Sequence, residues 1–385
     1  MTIRAQFGPV NYRVVAMLIV ALLPAPAIGC NDGDQAGDLP VITTIADPIR
    51  ATTTTAPPNC NDAAACTTRQ LADAAGVTFG TAVAASHLDE TDYRNTLATT
   101  FNSVTPENEL KWASIHPAPD TWNFGPADTI IDFARKHQLQ VKGHNLIWDQ
   151  ESIDSTPDWV LAIDDPTELR STVTDHIRTV MTRYRDAVDR WDVVNEPLQT
   201  LGVDVYDNHF RQVLGDGYIA EMFTIARQAD PEGRLFLNEA AVELLPRKAA
   251  ALVALVNDLL DQGAPIDGVG IQAHLVGGTV DSAAMRRLIN DLEGLGVEVA
   301  ITELDVPTTT TADPLATQAD TYSQALSACL DESCREVTLW GFTDRYTWID
   351  NTFGPGRAPL PFDSDYRPKP ALAAIRERLS AATPK

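Results

Sequence analysis

The feature that most constrains this chain is an alternation, sustained from about residue 69 to residue 380, between short apolar runs and longer amphipathic ones. The short runs have strand length: Val77–Val83, Ser103–Thr105, Gln140–Gly143, Arg190–Val194, Leu235–Leu237, Gly268–Gln272, Glu298–Thr302 and Glu336–Gly341. Between most of them lie segments with helical spacing. From Glu168 to Tyr184 the apolar positions are Val173, Ile177, Val180, Met181 and Tyr184, three or four residues apart for the most part. Ile130–Arg135 and the Ala-, Leu- and Val-rich Ala249–Leu260 read the same way. Strands alternating with helices in this number predict a single α/β domain, a (β/α)8 TIM barrel. A doubly wound open sheet is the alternative, and it is disfavoured because no Gly-rich phosphate loop follows the first strand.

Composition narrows the partners. With 29 Lys and Arg against 53 Asp and Glu, the formal charge is −24, too acidic for a basic patch of useful size, so a nucleic-acid partner is excluded. At 44% apolar residues the chain can bury a core, which excludes a wholly disordered protein.

The N-terminus reads as an export signal over residues 1–29. Arg4 and Arg13 precede an unbroken apolar run, Val14–Leu23, and small residues follow. That run is about half the ~20 residues of a transmembrane helix, so cleavage is expected rather than a permanent span. Ala27-Ile28-Gly29-Cys30 resembles a bacterial lipoprotein box, which would put a lipid anchor on Cys30; an ordinary secretory signal followed by a free cysteine is the alternative. Residues 30–68, with Asn31-Asp32-Gly33-Asp34 and the Thr/Pro-rich stretch Thr52–Pro58, read as a disordered tether, leaving 69–385 as the catalytic domain. Cys60 and Cys66 are close in sequence, as are Cys329 and Cys334, and each pair could close a small disulfide loop. Zinc sites use similar spacings, but no histidine lies beside either pair. Such cysteine usage suits an oxidising compartment, hence an extracellular or cell-surface location.

In a barrel of this kind, polar residues at the C-terminal ends of strands line the site. Trp191-Asp192-Val193-Val194 runs into Asn195-Glu196-Pro197, and Val299-Ala300-Ile301-Thr302 runs into Glu303-Leu304-Asp305. One glutamate after a strand is ordinarily a helix cap or a solvated loop residue. Two on strands that face each other across a barrel are what acetal cleavage requires, one protonated for the leaving oxygen and one ionised as nucleophile. A separation of about 5–5.5 Å would mean retention of configuration, and mutual repulsion helps keep one of the two protonated. Trp112, Trp148, Trp340 and Trp348 fall at or just after strand ends, where indoles can stack on the apolar face of a pyranose; a lone Trp is more often core. His144, Gln272 and His274 also stand at strand ends. Metal ligation is the competing reading, but there is no HExxH and each residue lies on a different strand, so neither metal nor cofactor is expected.

Six blocks recur in order: Thr105-Pro106-Glu107-Asn108-Glu109-Leu110-Lys111-Trp112, Gly143-His144-Asn145-Leu146-Ile147-Trp148, Trp191 to Pro197, Gly268 to Leu275, Ile301-Thr302-Glu303-Leu304-Asp305, and Trp340-Gly341-Phe342-Thr343-Asp344 with Trp348. Over residues 69 to 380 this chain resembles glycoside hydrolase family 10, the group dominated by endo-β-1,4-xylanases. Asn-Glu-Pro alone is shared by many barrel glycosidases; the ordered set is specific. The resemblance implies a retaining endo-β-1,4-xylanase acting on xylan or xylo-oligosaccharides, with Glu196 as acid/base and Glu303 as nucleophile. It implies that Asn195 binds the sugar 2-hydroxyl, that His274 hydrogen-bonds Glu303 and is oriented by Asp305, and that Gln272 contacts the nucleophile or the sugar. Glu107, Asn108, Lys111, His144 and Trp148 would line the non-reducing-end subsites, with Trp340 and Trp348 as aromatic walls. The Cys329/Cys334 pair resembles a short disulfide loop of secreted members.

Two departures stand out. Where the family reads His-Ser-Gln after the strand-three tryptophan, this chain has Asp149-Gln150-Glu151, which bears on xylose-versus-glucose preference. Where the family reads Asn-Asp-Tyr-Asn after strand five, it has Asn238-Glu239-Ala240-Ala241. A cellulase or mannanase on a related barrel would share Asn195-Glu196 and Glu303 but not the Glu107-Asn108…Lys111 block. A non-catalytic carbohydrate-binding lipoprotein is the reading from another class, and retention of both glutamates speaks against it.

Overall fold

Every one of the short apolar runs forms a strand: β1 Thr78–Val83, β2 Ser103–Pro106, β3 Gln140–Gly143, β4 Arg190–Asn195, β5 Arg234–Glu239, β6 Gly268–Ile271, β7 Glu298–Leu304 and β8 Glu336–Leu339. The computed structural model describes residues 60, 62–150 and 155–382; the signal peptide, Cys30, the tether up to residue 59 and Glu151 lie outside the described residues. The strands pair in parallel and in chain order, β8 returning to β1, so the sheet closes into a barrel. Parallel neighbours cannot be joined by a hairpin, and the helices between the strands supply the crossovers. The barrel predicted from the alternation is the observed fold.

Local signals explain the element boundaries. The helix Pro166–Tyr184 starts ahead of the first expected residue because Asp165 accepts hydrogen bonds from the backbone N–H groups of Thr167 and Glu168 and Pro166 has no N–H to lose. Its inward face buries Leu169, Val173, His176, Ile177, Val180, Met181 and Tyr184, the periodic set plus Leu169 and His176. Strand pairing slips twice, between Asp192 and Val194 of β4 and between Ile301 and Leu304 of β7. Such irregularities re-aim side chains, and these two sit on the strands that lead into Glu196 and Glu303.

The bottom of the barrel is closed by charge. Arg190, the first residue of β4, is fully buried; its Nε donates to Glu336 Oε1 of β8 at 2.8 Å and its Nη2 to Ser103 Oγ of β2 at 3.0 Å.

Two expectations are corrected. The folded body begins before residue 69. Thr67 and Gln70 form a reciprocal capping box on the helix Thr68–Ala75, and a disulfide joins Cys60 to Cys66. Arg376 of the last helix, Pro370–Ala381, donates to the carbonyls of Ala63 and Cys66 at 2.9 and 2.8 Å. Residues 62–68 therefore pack against the chain's far end instead of continuing the tether. Trp112 is not at the rim: it is 1% exposed and stacks at 3.9 Å on His176 of the helix Pro166–Tyr184, so it is core. The second close cysteine pair, Cys329 and Cys334, is also a disulfide.

Candidate active site

At the C-terminal end of β4 the chain enters Glu196 with φ +51°, a left-handed backbone that side-chain-bearing residues seldom adopt. Both peptide groups of Glu196 are held there. Its N–H donates to the Asn238 carbonyl at 2.8 Å, and its own carbonyl accepts from Gln150 Nε2 at 3.2 Å. The carboxyl is turned into a buried polar network at the barrel mouth and is only 7% exposed. Glu303, in β7, is 4% exposed and reaches the same network.

Three amides connect the two carboxyls. Gln272 Nε2 donates to Glu196 Oε1 at 2.9 Å and approaches Asn195 Oδ1 at 3.5 Å. Asn238 Nδ2 donates to the same Asn195 oxygen at 2.8 Å and to Glu303 Oε1 at 2.7 Å. The other Asn238 atom, Oδ1, accepts from Thr302 Oγ1 at 2.7 Å, which fixes which way the amide faces. Gln272 therefore serves Glu196; of its two expected partners, the nucleophile or the sugar, Glu303 is bonded by Asn238 instead, because β5 stands between β4 and β6.

The second oxygen of Glu303 faces His274. Nε2 of the ring lies 3.1 Å from Glu303 Oε2, and Nδ1 lies 2.9 Å from Asp305 Oδ2. Trp348 Nε1 donates to the same Asp305 oxygen at 2.8 Å, so Trp348 braces the triad as well as walling the site. With a carboxylate at each nitrogen the imidazole is charged: burial opposes the charge, but Asp305 and Glu303 outweigh it and raise the His274 pKa to about 10.

The two glutamates are driven apart electrostatically. Burial pushes Glu196 up to about 7, the Glu239 and Glu303 carboxylates push the same way, and Gln272 and Lys248 restrain the rise. Burial would push Glu303 up too, but the His274 hydrogen bond and the positive fields of His144, His274 and Lys142 overcome it and hold Glu303 at about 2. At neutral pH the pair contains one carboxyl that can donate a proton and one that is ionised. That is the division of labour acid-assisted nucleophilic substitution needs.

The remaining expected residues surround this pair. Lys111 Nζ donates to Asn108 Oδ1 at 2.8 Å and lies 5.1 Å above the Trp148 ring. Glu107 is partly buried beside it, its carboxyl pushed up by burial and restrained by the Lys111 charge. His144 Nδ1 lies 2.8 Å from Asp192 Oδ2, Asp192 also pairs with Lys142 at 3.0 Å, and Trp340 meets the His144 ring edge-on at 5.1 Å. The His274 ring likewise meets Trp348 at 4.8 Å. Sequence reasoning missed Asn238, Glu239, Lys248 and Gln150 as site residues. The rule that strand ends line the mouth would have found the first two, since they close β5; Lys248 sits in the helix Pro246–Asp261, where nothing in its neighbours announces burial.

Comparison with known proteins bears on this arrangement. The family model described as glycosyl hydrolase family 10 matches residues 67–378. Endo-1,4-beta-xylanase C of Phanerodontia chrysosporium is 36% identical over 321 residues, covering 81% of this chain and 78% of that protein. Native xylanase 10B from Thermotoga maritima superposes with a TM-score of 0.76 at 31% identity, covering 81% of this chain and 98% of that one. Xylanase 10B from Thermotoga petrophila RKU-1, solved in complex with xylobiose, gives a TM-score of 0.76 at 32% identity over 81% of this chain and 97% of that one.

Proposed function

This chain belongs to glycosyl hydrolase family 10, and from that premise we propose how its residues divide the chemistry. It is a retaining endo-β-1,4-xylanase that hydrolyses internal bonds of xylan by double displacement, and its substrates are xylan and xylo-oligosaccharides. In our assignment Glu196 is the acid/base and Glu303 the nucleophile. The observation that carries it is the joining of two buried carboxyls by one amide network with His274 set against Glu303 alone, which leaves burial to raise Glu196 to about 7 while Glu303 is held at about 2.

In the first step the Glu303 carboxylate attacks the anomeric carbon while Glu196 gives its proton to the glycosidic oxygen. The C–O bond to the leaving chain breaks and a covalent glycosyl–Glu303 ester forms. Esterification removes the negative charge on Glu303, one of the charges that hold Glu196 protonated. The acid/base is thereby readied to take a proton from water, which attacks the same carbon and releases the sugar and Glu303. Asn195 binds the sugar 2-hydroxyl, its side chain already held by Asn238. His274 keeps Glu303 ionised and aimed, and Asp305 and Trp348 orient His274. Glu107, Asn108, Lys111, His144 and Trp148, with Trp340 and Trp348, bind the non-reducing-end sugars.

The test is a pair of variants on two substrates. Glu303→Ala abolishes turnover of both xylan and an aryl xylobioside with a good leaving group. Glu196→Ala spares glycosylation by the activated aryl substrate far more than it spares xylan cleavage, because a good leaving group needs little protonation. Unchanged turnover of the aryl substrate by Glu303→Ala would overturn the nucleophile assignment.

Export of the enzyme and lipid attachment at Cys30 belong to the same proposal. Support comes from the basic start, the apolar run Val14–Leu23 and the two disulfides, which account for four of the five cysteines and leave Cys30 over. Mass spectrometry of the mature N-terminus distinguishes a lipidated Cys30 from a plain secretory cleavage.

A further inference from the structure

Beneath the candidate acid/base lies a buried ion pair that the mechanism above does not use. Glu239, the last residue of β5, is fully buried. Its Oε1 accepts from Lys248 Nζ at 2.9 Å and from its neighbour's backbone, Ala240 N–H, at 2.9 Å. Its Oε2 accepts from the backbone N–H of Leu198 at 2.9 Å. Lys248 is 1% exposed and donates onward to the Thr200 carbonyl at 3.3 Å. Leu198 and Thr200 are two and four residues past Glu196, in a tight hairpin closed by Tyr206 N–H to Pro197 O at 2.7 Å and by Gln199 N–H to Asp204 O at 2.9 Å. The pair thus grips the segment directly after the residue whose left-handed backbone aims the acid/base.

Burying an isolated Lys–Glu pair costs desolvation that its own attraction does not always repay. This one is tied to backbone groups of the β4 loop at both ends, so it does more than fill space. We propose that Glu239 and Lys248 form a positioning pair for Glu196, locking the hairpin 197–206 to the end of β5 and setting a fixed, partly compensated negative charge beside the acid/base carboxyl. The inference rests on the assignment of Glu196 as acid/base.

The charged groups acting on Glu196 come from four directions. They are Glu239 at the end of β5, Lys248 from the helix Pro246–Asp261, Glu303 from β7, and Lys111 from the loop after β2. Among them the Glu239 charge acts most strongly, and it favours the protonated acid; Lys248 opposes it by less. Removing Glu239's charge while keeping its shape must therefore make Glu196 lose its proton at lower pH.

The experiment measures kcat/KM against pH on glucuronoxylan for the parent, Glu239→Gln, and the double variant Glu239→Gln/Lys248→Met, which leaves no unpaired buried charge if the single variant folds poorly. The alkaline limb is expected to move to lower pH by half a unit or more in Glu239→Gln, and in the same direction by less in the double variant. A merely structural role lowers the plateau and leaves the limb where it was; limbs within 0.2 unit of the parent in both variants overturn the inference. Glu196→Ala, run beside them on the activated aryl xylobioside, separates the two levels of argument. If its alkaline limb persists, the acid/base assignment fails. If that limb vanishes yet stays fixed in the Glu239 variants, only the positioning pair fails.

Discussion

Nε2 of His274 lies 3.1 Å from Oε2 of Glu303. That contact reverses what burial alone would do to the carboxyl, since Glu303 is buried among protein atoms yet is held at about 2. The cation that achieves this is itself maintained by Asp305 on the ring's other nitrogen.

Replacing His274 by Asn removes the charge and keeps a polar side chain. Burial then pushes the Glu303 carboxyl up, and the acidic limb of kcat/KM moves to higher pH. Each unit of that rise costs about tenfold in the ionised fraction at pH values below it. The measurement is a pH profile on an aryl xylobioside from pH 3 to pH 8; an unmoved acidic limb would show that Glu303 does not depend on the imidazolium. The same linkage reaches stability. Glu303, depressed in the folded state, contributes stability present above its unfolded value of 4.5 and lost as pH falls toward about 2.

Glu243 behaves in the opposite sense. It is 5% exposed, no other residue among those described donates a hydrogen bond to its carboxyl, and burial pushes its pKa from 4.5 to about 7 against the restraint of its own backbone N–H and the His274 and Lys248 charges. Because the folded value is the raised one, the stability it permits is complete below 4.5 and is lost as pH rises through about 7. Glu243→Gln removes the ionisation. Its stability relative to the parent is expected to be more favourable at pH 8 than at pH 4 by up to about 3 kcal/mol. Thermal denaturation of both proteins at the two pH values checks this, and equal differences at both would refute it.

At the opposite end of the barrel, Glu336→Gln leaves Arg190 charged and buried without its counterion. Breaking such a pair typically costs about 3–5 kcal/mol, so a marked fall in Tm is expected. Xylan turnover at 25 °C by the protein that remains folded should stay near the parent's. Arg190 opens β4, whereas Glu196 follows that strand's other end. A variant as stable as the parent would mean that the Ser103 contact and the surrounding barrel suffice to hold Arg190.

Much of this was legible before any coordinates. The alternation of short apolar runs with segments of helical period points to a parallel α/β barrel, because each strand run is too apolar to face water and each helix has one face to bury. The same reasoning put Glu196 and Glu303 at the mouth, since a polar residue ending a buried apolar run has nowhere else to go. It also led to His274, while the place of Asp305 beside that ring was implied only by the family resemblance. It failed where burial depends on which helix lies alongside. Trp112 looked like a rim aromatic because it follows a strand closely, yet the chain turns it onto His176. Residues 62–68 looked like tether because their partner, Arg376, lies some three hundred positions away.

The amino-acid order alone pointed to the barrel, to both glutamates at its strand ends and to the acidic character of the chain, because periodicity and strand-end polarity are local properties; the pairing of the close cysteines was seen only in the fold. Tertiary structure decided which glutamate holds its proton. That difference arises because burial, reinforced by the Glu239 charge and only partly offset by Lys248, raises one carboxyl, while His274 overcomes burial at the other; these groups come together only when β4, β5, β6 and β7 close side by side. Electrostatic energy depends on distance through space and on exclusion of water, and neither can be read along a chain.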